Sequence, residues 1–184
     1  MEIGEKLRIL RKKRGNTLQD IASKTGYSAS LISQVERGLV APSIATLKKI
    51  SLALDTPVFA LFDEEKFAEI TRDDVVVRAD ARKCIPTDAQ KAMFSLLVPD
   101  IKRKLDVIMI EGEPGAKSDD DYHSHDGEEC EFIIQGIMEV DLNGQIYTLH
   151  AGDSIYFDCS KPHRWRNPGP EKMIVLCALT PPEF

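Results

Sequence analysis

Residues 122–136 read YHSHDGEECEFIIQG, and their chemistry decides the fold of the second half of the chain. His123 and His125 are separated by one residue, so on an extended backbone both imidazoles leave the same face. Glu129 follows after a short bend and can swing its carboxylate to the same point. A third imidazole is available at His163, within SKPHRWRN at 160–167. Three histidines and a carboxylate around one centre suit a divalent metal (zinc, iron, manganese or nickel, with copper a further fit) and leave positions for water or a ligand. The expected ligands are His123, His125, Glu129 and His163. His150 lies outside both stretches and is read as ordinary.

Around this stretch the apolar period is near two. Residues 75–77, 93–98, 105–110, 131–134, 137–142, 146–149, 154–157 and 173–179 all read as strands. Asn143-Gly144 sits between two of them, and its tolerance of positive φ marks a tight hairpin. Many short strands with no helix between them imply a sandwich or small barrel.

Upstream of residue 63 the period lengthens to that of a helix, beginning with Ile3, Leu7 and Leu10. Gly15 ends the first helix, and Thr17 caps a second that faces inward with Leu18, Ile21 and Ala22. Gly26 closes it; Ser28 caps a third, which carries Leu31, Ile32 and Val35 inward as far as Gly38. Ser43 caps a fourth through Leu47, Ile50 and Leu54, and Pro57 opens a short fifth ending near Phe62. The polar stretch 63–74 reads as a linker. The fold class expected is α+β multidomain, with helical residues 1–62 followed by an all-β domain at 75–184.

Net charge divides along the same boundary. The chain carries −6 overall, but residues 1–62 hold ten Lys and Arg against five Asp and Glu, a net of +5, which leaves −11 for the rest. Phosphate contacts need clustered cations, so the first module is the one suited to nucleic acid. At 184 residues there is room for two compact domains. No apolar run approaches the roughly 18 residues that would span a bilayer, and no leader opens the chain, so a cytoplasmic setting is expected. The four cysteines, Cys84, Cys130, Cys159 and Cys177, are scattered without a Cys-x-x-Cys pair, which suits reduced, buried thiols.

Residues 18–37 have the parts a helix-turn-helix demands: small Ala22 where two helices touch, Gly26 in the turn and Ile32 packing the second helix back. With the opening run GEKLRILRKKRGNTLQDIA, the helix SASLISQVERG and the tail SIATLKKISLALDTPVFALF, this half resembles the lambda-repressor-like (Xre) family over roughly residues 4–62. The resemblance implies a five-helix domain whose third helix enters the major groove. Ala29, Ser30, Ser33 and Gln34 would then reach base edges, Gln34 as a bidentate partner of adenine and Ala29 against a thymine methyl. Thr17, Gln19, Ser28 and Arg37 would contact phosphates. A dimer reading two half-sites of an operator is implied.

The second half resembles the cupin superfamily over about residues 75–182. His123, His125, Glu129 and Gly136 fit its first motif, and Gly152 through His163 to Asn167 follow its second. That spacing favours Glu129 over Glu128 and Glu131 as the carboxylate ligand. Asp158 stands where a proline is usual, and Gly115 is two residues too far upstream, departures that bear on loop shape more than on ligation. The resemblance implies a double-stranded β-helix holding a divalent metal. Alternation from His163 puts Trp165 and Asn167 on the same side, and Tyr156 and Phe157 offer one inward aromatic. Tyr156, Trp165 and Asn167 are the candidate walls of an effector pocket.

Together the resemblances imply a DNA-binding transcriptional regulator, a repressor by family habit, with a metal-anchored small-molecule sensor and a homodimer formed through the cupin domain. The alternative is a metal-dependent cupin enzyme, oxygenase- or epoxidase-like, carrying a helix-turn-helix-like domain. An enzyme has no need for the basic N-terminal charge or the polar face SASxxSQ, so the expectation is a regulator and not an enzyme. A third reading makes the metal itself the signal.

Overall fold

The computed structural model describes residues 3–56, 58–61, 75–87, 90–99 and 104–182. The chain divides into two compact units, Met1–Ala68 and Glu69–Phe184. The expected linker at 63–74, together with Pro57 and Phe62, lies outside the described residues.

Among the described residues, the first unit contains four α-helices, α1 (Ile3–Lys13), α2 (Leu18–Thr25), α3 (Ala29–Glu36) and α4 (Ile44–Ala53). The fifth expected helix is a single 3-10 turn, Val58–Leu61. Val58, Phe59 and Leu61 are nevertheless core, the first two with no exposed surface. Thr17 caps α2 in a capping box with Asp20, and Ser28 and Ser43 cap α3 and α4 by accepting the N–H groups of Leu31 and Thr46. Gly26, at φ 76°, supplies the left-handed residue that ends α2 and turns the chain into α3. Leu7, Ile21, Ile32, Val35, Leu47, Ile50 and Leu54 fill the centre.

The second unit is a β-sandwich. Its strands are β1 (Lys83–Thr87), β2 (Ala92–Leu96), β3 (Asp106–Gly112), β4 (Glu128–Gln135), β5 (Ile137–Leu142), β6 (Gln145–His150), β7 (Ser154–Asp158), β8 (His163–Arg166) and β9 (Met173–Thr180). Six form one sheet in the order β1-β2-β3-β9-β4-β7 and three form the other in the order β6-β5-β8. All pairings are antiparallel.

Ile85, Phe94, Ile108, Ile110, Ile133 and Val175 from the large sheet and Met138, Val140 and Trp165 from the small one are buried. The Phe94 and Trp165 rings, 6.3 Å apart, join the two sheets. The β5–β6 hairpin closes on Asn143-Gly144, both at positive φ (52° and 92°), as the dipeptide demands.

No strand forms at 75–77: Val75 and Val76 are 83% and 57% exposed, and a 3-10 turn at Ala79–Ala81 follows. The first strand is β1 instead. Its Pro86 cannot donate to a ladder, and the strand is tolerated because it pairs on one side only, at the edge of the sheet.

Candidate functional site

The two histidines of 123–125 and the glutamate after them are placed by the approach to β4. Gly127 makes the bend at φ 107°, and a Cβ there would come within 2.2 Å of the Thr180 carbonyl oxygen. Glycine is what lets the chain pass so close to β9 and still start β4 with Glu129 facing inward. His123 and His163 exchange backbone hydrogen bonds of 3.1 and 2.9 Å, which brings the first segment against β8. His125 N–H donates to the Cys159 carbonyl at 2.9 Å, fixing the other end.

Three expected ligands converge. One donor atom each from His125, Glu129 and His163 lies within 4.8 Å of the other two. His125 Nε2 stands 3.4 Å from Glu129 Oε1. The Nδ1 atoms of both rings meet backbone carbonyls, His125 at Asp126 O (3.1 Å) and His163 at Lys161 O (2.8 Å). A carbonyl only accepts, so each Nδ1 carries the proton and each Nε2 keeps its lone pair for the centre. These residues fit a divalent metal: two imidazoles oriented by carbonyls and one buried carboxylate.

His123 does not join this group within the same span. Its ring lies edge-on to His163 at 4.2 Å and stacks parallel to His125 at 6.4 Å. The expected fourth ligand is therefore beside the set of three. Phe157 meets the His163 ring at 5.1 Å.

Of the expected pocket walls, Tyr156 is corrected. It is 63% exposed on the outer face of β7, because alternation along that strand buries Phe157 instead. Trp165 is buried against Phe94, and Asn167, besides bordering a cavity, clamps the backbone. Its amide donates to the carbonyls of Gly112, Glu113 and Glu171, and its Oδ1 accepts from Gly169 N–H. A cavity of about 620 Å³ beside β5 and β8 is bordered by Trp165 and Asn167 but by none of the four expected metal ligands. Four of the charges that border it pair across strands, Arg164 with Asp141 at 3.0 Å and Arg166 with Glu139.

Two features escaped sequence reasoning. Tyr122 Oη and Arg164 both donate to Asp141 Oδ2, at 2.7 and 3.0 Å, and the guanidinium lies 4.4 Å from the Tyr122 ring centre. This cluster ties residue 122 to β5 and β8, and so holds His123 in place. No local pattern announces it, since its members are far apart in the chain. The other is the burial of Glu131, weighed from the sequence only as a rival ligand: it is 2% exposed and faces inward beside Glu129. Burial, with the Glu129 charge adding to it, holds its carboxyl well above the usual carboxylate range.

In the helical unit, Ser30 and Gln19 are exposed, and Ala29, Ser33 and Gln34 are half-buried on α3. Thr17 Oγ1 donates to Asp20 Oδ2 at 2.7 Å and accepts from Asp20 N–H, so a phosphate would compete with the capping box for its proton. Ser28 Oγ accepts from Leu31 N–H, a bond that does not use the hydroxyl proton. Arg37 Nε donates to Ser33 O at 3.1 Å, and the side chain is exposed.

Residues 7–61 match the helix-turn-helix family model and residues 108–179 match the cupin-domain model. The HTH-type transcriptional regulator PuuR of Escherichia coli is 29% identical, over 98% of this chain and 96% of its own length. The HTH-type transcriptional regulator DdrOP3 of Deinococcus deserti is 32% identical, over 65% of this chain and 90% of its own. The chain belongs to the HTH-type transcriptional regulators, with a C-terminal cupin domain. The regulator also shares its fold with the crystal structure of an HTH_3 family transcriptional regulator from Vibrio cholerae, at a TM-score of 0.70 and 25% identity over 98% of this chain and 95% of the other. The full-length relatives are regulators, so the enzyme alternative is set aside. Its helix-turn-helix domain makes DNA the partner of the first unit. Among the described residues, no helix is long and apolar enough to cross a membrane.

Proposed function

We propose that the regulator reads an operator as a homodimer joined through its cupin domains, and represses by occupying that site. The reading domain is residues 1–62, the linker 63–74 and the sensor 75–184. Ala29, Ser30, Ser33 and Gln34 face the bases, and Gln19, Ser28, Arg37 and, in competition with Asp20, Thr17 face phosphates. The charge division supports this assignment, since the +5 of the first 62 residues is where the duplex would dock.

The sensor holds a divalent metal at His125, Glu129 and His163, with His123 alongside. One observation carries this reading: both imidazoles spend Nδ1 on a backbone carbonyl and are left with Nε2 for a common centre that a buried carboxylate shares. Bound there, the metal would supply an open position for an oxygen or nitrogen donor of a small effector, such as a carboxylate, an amine or an amino-acid-like molecule. Phe157 gives the site an apolar wall. The effector acts by binding the DNA-competent and incompetent states unequally.

Elemental analysis of the purified chain, followed by DNA binding of the loaded and chelated forms to sequence upstream of its own locus, tests the proposal. Metal bound in the wild type, reduced in both His125→Ala and Glu129→Ala, with DNA affinity that depends on loading, is the expected result. Full metal retention in both variants overturns the site. Tight DNA binding by a metal-free wild type leaves a regulator whose sensor recognises something else.

A further inference from the structure

Beneath the histidines, the interior of the sandwich holds a second group of donors. Inward positions on β4 fall at Glu129, Glu131 and Ile133, so the two carboxylates follow one another into the interior. Across the ladder, Glu131 stands directly opposite Cys177 of β9 on one side and Ile155 of β7 on the other, and Cys177 is itself opposite Ile108 of β3. A carboxylate oxygen of Glu129, one of Glu131 and the Cys177 sulfur all lie within 4.8 Å of one another. All three residues are buried, at 8%, 2% and 3% exposure. Among the described residues, Glu131 Oε2 is closed off from solvent and has no hydrogen-bond partner.

A buried carboxylate oxygen without a donor is costly, and a second carboxylate beside it raises that cost. Either a proton or a cation can relieve the pair. A proton shared by the carboxylates, or one donated by the thiol, relieves the donors a pair at a time, whereas a cation that accepts both sulfur and oxygen donors is held by all three groups at once. The pattern is also specific at position 177. β9 buries Met173, Val175, Cys177 and Leu179 in turn, and the one thiol of that series is opposite the one inward carboxylate that lies deeper than Glu129.

We propose that Glu129, Glu131 and Cys177 form a second, inner position for a thiophilic divalent cation such as Zn²⁺, sharing Glu129 with the histidine centre. The inner position goes beyond the histidine centre and does not require His125 or His163. It would join β4 to β9 through their side chains as well as their ladder.

The test is titration of the chelator-stripped full chain with Co²⁺ alone, reading stoichiometry and the near-ultraviolet thiolate-to-cobalt charge-transfer band. The wild type should bind about two equivalents and show the band. Cys177→Ser should abolish the band and bind about one equivalent, Glu131→Gln should weaken both readouts, and Cys159→Ser should change neither. His163→Ala should lose an equivalent but keep the band, which separates the inner position from the histidine centre. Loss of the band in Cys177→Ser with no change in His163→Ala would overturn the histidine centre and support the inner one. A wild type without the band, or a band that survives Cys177→Ser, overturns the inner position. Should Cys177→Ser fail to fold, Cys177→Ala and the near-isosteric Glu131→Gln carry the same comparison.

Discussion

Asp141 shows how much a single carboxylate can organise. It accepts from Tyr122 Oη, from two nitrogens of Arg164 and, through its other oxygen, from Gly144 N–H at the hairpin tip. The Tyr122 hydrogen bond, followed by the Gly144 and Arg164 interactions, holds its carboxyl below the usual aspartate range. A depressed folded value means that this stabilisation is present above the unfolded aspartate value and is lost as pH falls through the folded one. Asp141→Asn should therefore cost about 1–3 kcal/mol near neutrality, because hydrogen bonds to a charge are lost, and should flatten the acid limb of stability. Urea midpoints measured from neutral to acid pH for both proteins check this; parallel curves would exclude it. At the DNA face the corresponding residue is Gln34. Its replacement by Ala should weaken specific binding by about 1–3 kcal/mol while sparing random DNA, and an equal loss on both in a binding titration would remove it from base reading.

Between elements, a buried ion pair in the helical unit joins α1 to α3. Arg11 donates from Nε and Nη2 to the two oxygens of Glu36 at 2.6 and 2.9 Å, and both residues are over nine-tenths buried. Arg11 also donates to the Asn16 carbonyl at 2.8 Å, so the same guanidinium fixes the turn before α2. Removing one partner leaves a buried charge without compensation, which costs about 3–5 kcal/mol. Arg11→Met and Glu36→Leu should each approach that loss, and the double variant should lose less than the two singles added together. Thermal unfolding of the four proteins gives the comparison; strict additivity would show that the pair is not coupled. Because α3 carries the proposed reading residues, either single variant should also weaken DNA binding without touching a base-facing side chain.

At the level of the molecule, two compact units of opposite charge character are strung on one chain. A basic helical unit that neutralises phosphates should give DNA affinity that falls steeply and linearly on logarithmic axes as salt rises. Affinity measured at several salt concentrations tests this, and a flat dependence would place recognition outside the basic unit. Metal effects belong to the other unit. Chelation, or Glu129→Ala, should lower the unfolding transition of the β-sandwich and leave that of the helices in place, as scanning calorimetry would show. A shift of both together would mean that the units unfold as one.

The sequence determined what depends on local periodicity and on motifs with fixed spacing. Helical period, caps at Thr17, Ser28 and Ser43, the Asn143-Gly144 hairpin and the paired histidines could all be read, because each is a contest among neighbours along the chain. Val75 to Val77 misled because β-branched residues favour a strand only where another strand pairs with them. Edge strand β1 was missed because Pro86 is tolerated there for a reason seen only in the sheet order. Tyr156 and Phe157 could not be told apart until the register of β7 against β4 put Phe157 opposite Glu129.

Tertiary structure alone decided which donors meet. The step through Gly127 and the bridge between residues 123 and 163 set His125, Glu129 and His163 together with His123 at their side, and pairing of β4 with β9 brought Glu131 to Cys177. Those distances depend on strand register across segments far apart in the chain, and a linear pattern of residue types contains no term for register.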